Sequence, residues 1–428
     1  MGPVTHDTAA VKTRTWVLHP ELKSKPSRRL ADDCLAEAVA LASALPGMDV
    51  IGAGSVRLSK LHPGHLFGTG KVQELKDCFA ENKIDLVLVD GSVTPVQQRN
   101  LEKEWGVKLL DRTSLILEIF ADRARTREGV LQVELAALSY QRTRLVRAWT
   151  HLERQRGGFG FVGGPGETQL EADRRAIDDH VIRLKRQLEK VVRTRELHRA
   201  SRRKVPFPLV ALVGYTNAGK STLFNRLTGS DVLVKDMLFA TLDPTMRGVV
   251  LPSGRKIIAS DTVGFISDLP TQLVAAFRAT LEEVLEADLI LHVRDISHSE
   301  SAEQSRDVAE ILISLGVKPA TPQFEVWNKL DLVDATAHEA LIASAQSRPT
   351  IFPVSAVTGE GVAALLDAIS LAFEHQKSEA TLEIGFAAGK SYAWLHAEGV
   401  VLAERQSDEG WSIDVLWTER QAAKFASL

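Results

Sequence analysis

Between residues 13 and 122, short apolar runs alternate with segments of helical period. TWVLHP, MDVIGAGSV, IDLVLVDG and VKLLDRT are the apolar runs, and 29–45, 70–82 and 94–105 carry the helical pattern. Strands separated by helix-length segments predict parallel βαβ units, here an N-terminal α/β domain over 13–127. The pattern then changes. Leu131, Leu135, Leu138, Leu145, Trp149 and Leu152 keep a coiled-coil spacing, with Arg142 at the one polar seam position. Leu170, Ile177, Val181, Leu184, Leu188 and Val191 repeat the rule. This predicts an antiparallel coiled-coil helical hairpin over 128–204, each arm roughly 40–50 Å long.

The arms are joined by RGGFGFVGGPGE, residues 156–167, with six glycines in 157–166. A hairpin turns in fewer residues. A long glycine-rich tip is either a functional loop that reaches into a partner or a disordered connection. RRKVP (202–206) reads as a linker, and a second α/β pattern fills a domain over 207–375. The tail, 381–428, reads strand, helix, strand, DEG turn, strand, helix. That is a small α+β domain, short enough that it is expected to lean on its neighbour. The expected fold class is therefore multidomain α/β, and a chain of 428 residues suits about three domains.

Charge adds an asymmetry. The formal net charge is −3, yet residues 142–204 hold 17 Lys/Arg against 8 Asp/Glu, a local +9 that leaves −12 elsewhere. A basic block on an acidic protein fits a polyanion partner, and a solvated helix surface fits equally well. The N-terminal MGPVTHDTAAVKTRT lacks the apolar stretch of a signal peptide, and the segment from Cys34 to Leu45 carries Glu37 and is too short for a membrane span. Cys34 and Cys78 offer neither a disulfide framework nor metal-ligand spacing. A cytoplasmic monomer without a membrane span is expected.

Two stretches compete as phosphate loops. In HPGHLFGTGKV, Gly64 and Gly70 enclose five residues instead of four, and Val72 follows Lys71 where Mg²⁺ would need a hydroxyl. It reads as a turn opening a helix. GYTNAGKST follows the apolar strand FPLVALVG and runs into the helical LFNRL, with Gly214, Gly219, Lys220 and Ser221 at P-loop spacing. The nucleotide would lie along Gly214, Tyr215, Thr216, Asn217, Ala218, Gly219, Lys220, Ser221 and Thr222. Backbone N–H groups there favour phosphate oxygens. Lys220 would neutralise the β- and γ-phosphates, and the Ser221 hydroxyl would ligate Mg²⁺.

DTVGF follows the strand KIIAS, placing Asp261, Thr262, Val263 and Gly264 for Mg²⁺ through water and for the γ-phosphate. NKLD supplies Asn328, Lys329, Leu330 and Asp331; the Asp331 carboxylate can accept from guanine N1–H and the exocyclic amine, which adenine lacks. Val354, Ser355 and Ala356 would face guanine O6 with backbone N–H groups. The order and spacing of these elements predict a P-loop GTPase domain that binds GTP and GDP. KDMLFATLDPT should be the mobile switch, where Thr241 and Thr245 both qualify as the hydroxyl for Mg²⁺.

Together with GTGKVQEL, EGVLQVELA, HLERQRGG, GPGETQLEADRR, FATLDPT and DTVGFISDLP, the chain resembles the HflX family of translation-associated GTPases over nearly its whole length. The resemblance makes FATLD the switch, Phe239, Ala240, Thr241, Leu242 and Asp243, and so favours Thr241 as the Mg²⁺ ligand. Lys220, Thr241 and Gly264 then carry catalysis. It implies a large-ribosomal-subunit partner, contact with its rRNA, and splitting of stalled or stressed ribosomes. Arg154, Arg156, Arg174 and Arg175 are the candidate RNA contacts. It also implies ATP binding outside the GTPase domain, at no position the sequence marks. One departure is Gly163, where the family pattern carries arginine directly before GPGE.

Phe265 stands where a Ras-like switch keeps the glutamine that orients water. Slow hydrolysis in the free protein, accelerated on the large subunit, is the expectation. Asn217 either holds a potassium ion beside the phosphates or bonds the switch loop; exchanging K⁺ for Na⁺ in a turnover assay separates the two. Rival readings are a GTPase of transfer-RNA modification, an RNA-binding module with a structural nucleotide, and an ATP-driven RNA remodeller built on the N-terminal domain. The first would normally bring a cysteine-bearing domain, which this tail lacks.

Overall fold

The computed structural model describes residues 12–23, 29–155, 165–202, 207–229, 238–239, 241–242, 244–267, 281–374, 377–407 and 409–426. The first sheet holds β1 (Thr13–Leu22), β2 (Met48–Leu58), β3 (Leu86–Val89) and β4 (Lys108–Asp111), all parallel, in the order β2-β1-β3-β4. The helices that return the chain are α1 (Ala31–Ala44), α2 (Thr69–Glu81) and α3 (Pro95–Trp105), followed by α4 (Arg112–Arg123). Local chemistry sets their ends. Thr94 and Gln97 form a reciprocal capping box with Pro95 at the first turn, and Gly106 closes α3 at φ 72°. Gly68 precedes α2, and Val72 is buried beneath Trp105, whose indole donates to the Val72 carbonyl at 3.0 Å. The false phosphate loop is thus a helix start whose Val72 serves the core.

Helices α5 (Arg127–Gln155) and α6 (Pro165–Arg202) form the hairpin. Arg142, the polar seam residue, pairs with Asp178 across it at 2.6 Å, and Leu184 is buried. The base of α5 departs from a free arm. Val133 and Ala136, off the expected seam, are buried with Phe120 of α4, and Arg144 donates to Asp111 at 2.9 Å. The side chains of Leu145, Trp149, Leu152 and Leu170, and most of the glycine-rich tip including Gly163, lie outside the described residues.

The second sheet has the order β10-β9-β8-β5-β7-β6. Its strands are β5 (Leu209–Gly214), β6 (Thr245–Val250), β7 (Lys256–Asp261), β8 (Leu289–Asp295), β9 (Gln323–Asn328) and β10 (Ile351–Pro353). All are parallel except edge strand β6. The apolar β5 is buried at the centre, as a strand covered on both faces must be. Helix α7 (Lys220–Thr228) leaves from its carboxyl end.

The tail forms β11 (Lys377–Gly385), β12 (Val401–Gln406) and β13 (Gly410–Thr418), antiparallel in the order β11-β13-β12, with helices at 389–397 and 419–425. It carries an apolar cluster of its own. Ile384, Leu395, Val400, Ile413, Val415 and Trp417 are buried together, and aromatic side chains supply much of that area.

One apolar cluster crosses a domain boundary. Leu41, Leu115 and Phe120 of the N-terminal domain share it with Val213, Phe239 and Phe265. The cluster brings the N-terminal domain directly against the carboxyl ends of the second sheet.

Candidate nucleotide-binding site

A cleft of about 370 Å³ opens at the carboxyl end of β5, where doubly wound sheets place their ligands. Thr216, Asn217, Gly219, Lys220, Ser221 and Thr222 line one wall. The loop must come very close to its neighbours. Gly219 sits at φ 87°, and a Cβ there would lie 2.2 Å from Asn328 Nδ2. That amide earns the space by donating to the Ala218 carbonyl at 2.8 Å, while its Oδ1 accepts from the Ala356 N–H at 3.0 Å. Asn328 therefore ties the P-loop to the loop that follows β10.

Lys220 is buried at the cleft wall, and its Nζ donates to the Tyr215 carbonyl at 2.9 Å and the Gly214 carbonyl at 3.2 Å. Burial pushes its pKa down to about 8, against a partial opposing pull from Asp261. A desolvated cation at a helix N-terminus suits an anion.

Beside it, three hydroxyl and carboxylate groups converge. Ser221 Oγ lies 2.9 Å from Thr241 Oγ1 and 2.6 Å from Asp261 Oδ2, and Thr241 Oγ1 is 3.0 Å from the same carboxylate oxygen. Asp261 is completely buried, burial raises its pKa, and its other oxygen has no hydrogen-bond partner. Clustered oxygen ligands with an orphaned carboxylate oxygen fit a small hard cation such as Mg²⁺. Thr245, the other hydroxyl candidate, instead opens β6 and is paired into the ladder.

The segment after β7 closes over the loop. Phe265 N–H donates to the Gly214 carbonyl at 3.1 Å, and Thr216 N–H to the Phe265 carbonyl at 2.7 Å. Gly264 lies so close that a Cβ would stand 2.8 Å from Thr216 Cγ2 and 3.2 Å from Lys220 Nζ. The Phe265 side chain is 1% exposed and belongs to the interdomain cluster, so it faces away from the cleft. Thr216 Oγ1 is buried without a partner, and Thr262 Oγ1 donates to the Leu212 carbonyl at 2.6 Å.

At the far end, Lys329 and Asp331 line the cleft; Lys329 Nζ is 2.8 Å from Asp295, and Ser355 Oγ donates to Asp331 Oδ1 at 2.5 Å. Leu332 and Val357, both well exposed, complete this end. Sequence reasoning passed over them, although each follows a recognised motif directly and could offer apolar contact to a flat base. Several expected residues do not present side chains here. Ala218, Leu242, Val263, Leu330 and Val354 are core residues, and Tyr215 turns toward the N-terminal domain. Phe239 reaches both the cleft and Phe120. Ala240 and Asp243 lie outside the described residues. Of the four arginines proposed for RNA, the described Arg174 and Arg175 do not line the cleft. Arg174 and Arg175 are exposed on α6, while Arg156 and the side chain of Arg154 are outside the described residues.

Four family models cover most of the chain. They are described as GTP-binding GTPase N-terminal (residues 32–121), GTP-binding GTPase Middle Region (123–202), 50S ribosome-binding GTPase (209–329) and HflX C-terminal domain (340–427). GTPase HflX of Magnetococcus marinus is 49% identical over 393 residues, 92% of this chain and 90% of that protein. GTPase HflX of Escherichia coli is 44% identical over 323 residues, 76% of this chain and 75% of that one. Among solved structures, a GTP-binding protein from Sulfolobus solfataricus in complex with GDP is 24% identical, covering 84% of this chain and 98% of that one, with a TM-score of 0.45.

Proposed function

We propose, from the premise that this chain belongs to the HflX family of GTPases, that its GTP hydrolysis is a switch controlling attachment to the large ribosomal subunit and the separation of stalled or stressed ribosomes. GTP binding and hydrolysis follow from the family. The ribosomal part is our reading.

The chemistry divides among named groups. Backbone N–H groups of the loop from Gly214 to Thr222 would hold the phosphates, and Lys220 would neutralise their charge. Ser221 and Thr241 would ligate Mg²⁺ directly and Asp261 through water. Bound there, Mg²⁺ would add charge neutralisation at the β- and γ-oxygens. Asp331 would pair with guanine, and Asn328 keeps that loop in register with the P-loop. Asn217, exposed at φ 59° on the cleft wall, would offer its amide oxygen to K⁺. The position where a Ras-like switch keeps its water-orienting glutamine holds Phe265, whose side chain is committed to the core. The site is rich in charge compensation and poor in water positioning, which supports slow basal turnover and acceleration by a partner.

The observation that carries the ribosomal reading is the +9 hairpin segment with Arg174 and Arg175 exposed on it. The match of residues 209–329 to the 50S ribosome-binding GTPase model points the same way. Phosphate contacts dominate such binding and make it salt-dependent. Sedimentation of the protein with large subunits and a non-hydrolysable GTP analogue tests the idea. Co-sedimentation is expected at low salt, weakening at least about tenfold between roughly 50 and 200 mM salt. Reversing Arg174 and Arg175 to Glu should flatten that dependence. Protein that stays in the supernatant at low salt would refute the reading.

A further inference from the structure

Thr241 stands beside Ser221 and Asp261, and Gly264 lies over Lys220, so the described residues of both switch segments are drawn in against the cleft, as contact with a γ-phosphate would require. Each is docked on the N-terminal domain. On the first switch, Phe239 meets Phe120 edge to face at 4.7 Å, with Leu238 and Leu242 in the same cluster. On the second, Ser267 N–H donates to Tyr215 Oη at 2.8 Å, and Ser267 Oγ donates to Glu37 Oε1 at 3.1 Å. Tyr215 Oη itself donates to Glu37 Oε2 at 2.6 Å. One carboxylate of α1 thus holds the residue that follows the first P-loop glycine and a residue two past Phe265.

Two guanidinium groups complete the cluster. Arg29 donates to Glu37 at 2.9 Å, to Ser267 Oγ at 2.8 Å and to Glu300 at 2.5 Å. Arg112 donates to Glu37, to the Ser267 carbonyl at 3.1 Å and to Asp90 at 2.6 Å, where His19 also bonds at 2.7 Å. Burial alone would push the Glu37 carboxyl up, yet Arg112 and Arg29 hold it below its ordinary value. A buried charge that loses a hydrogen-bond partner is costly. The second switch therefore cannot leave this place without breaking the hydrogen bonds that Ser267 makes with Tyr215, Glu37, Arg29 and Arg112.

We propose that Glu37 is a positioning residue for the GTPase site: through Tyr215 and Ser267 it locks the N-terminal domain onto the closed switches, so the N-terminal domain raises affinity for GTP over GDP. Reciprocity requires that GTP in turn fixes the N-terminal domain. The inference rests on the GTPase reading and needs no ribosome.

The test compares equilibrium binding of fluorescent GDP and a fluorescent non-hydrolysable GTP analogue, with kcat, KM and Tm, in the full chain without ribosomes. Glu37→Gln should leave GDP affinity within about twofold, weaken the GTP analogue about tenfold and lower kcat, since coupling factors of about 5–150 are typical. Tyr215→Phe should move the same ratio less far, and the double variant should be no worse than Glu37→Gln, because both act through one contact. Phe120→Leu, which keeps an apolar core, should lower the ratio through the first switch and decides the matter if Glu37→Gln does not fold. Equal losses for both nucleotides, a fall in Tm with the ratio unchanged, or a variant that binds the GTP analogue more tightly would each overturn the proposal. Failure of the wild-type chain to bind either nucleotide would instead remove the GTPase reading.

Discussion

Replacing Asp331 with Asn is expected to weaken GTP binding by roughly a thousandfold or more and to admit xanthosine triphosphate in its place. The carboxylate faces the cleft end, oriented by the Ser355 hydroxyl at 2.5 Å. It would accept from guanine N1–H and the exocyclic amine. An amide presents a donor to one of those donors, leaving polar groups unpaired in a desolvated contact. Xanthine carries a carbonyl where guanine has its amine, so the amide regains a partner. Asp331 is exposed, so the substitution should leave Tm within the small range of surface changes. Competition binding with the two triphosphates reads the effect; unchanged preference for GTP would mean that Asp331 does not read the base.

Lys220→Ala should lower kcat by about a thousandfold, since removing one preorganised donor of this type costs about 10²–10³. Lys220 is buried at the cleft wall, burial has already driven its pKa down to about 8, and its ammonium donates to two backbone carbonyls. A phosphate is the counter-charge that such a site lacks. Because alanine also removes a buried charge, the variant without nucleotide should melt no lower than the wild type. A large fall in Tm would assign Lys220 a structural role; retained turnover would remove it from catalysis.

Much of this was readable in the chain, for a physical reason. Strand and helix periods are local, so TWVLHP, IDLVLVDG and FPLVALVG declared themselves, as did a loop whose glycines and lysine must sit at fixed intervals around a phosphate. Asn328 could be read as holding the loop because its role is set by the motif it sits in. What could not be read is what distant segments share. Arg29, Glu37, Arg112, Tyr215 and Ser267 come from five separate stretches, and no spacing rule links them. The motif groups Tyr215 with the residues expected along the nucleotide, and no local pattern shows that its hydroxyl donates to Glu37. Phe265 looked like a missing catalytic group; the fold makes it a core residue that pins the switch. Val133 and Ala136 escaped the coiled-coil pattern because α5 packs at its base on α4, and the tail's core is built from residues too dispersed to form a periodic signal.

A cleft that compensates charge but positions water poorly should wait for its partner. Multiple-turnover GTP hydrolysis by the purified chain, measured with and without large ribosomal subunits at low salt, tests this most directly. The expected result is a slow basal rate that rises at least about tenfold with the subunits. A fast rate in isolation, or one indifferent to the subunits, would contradict it.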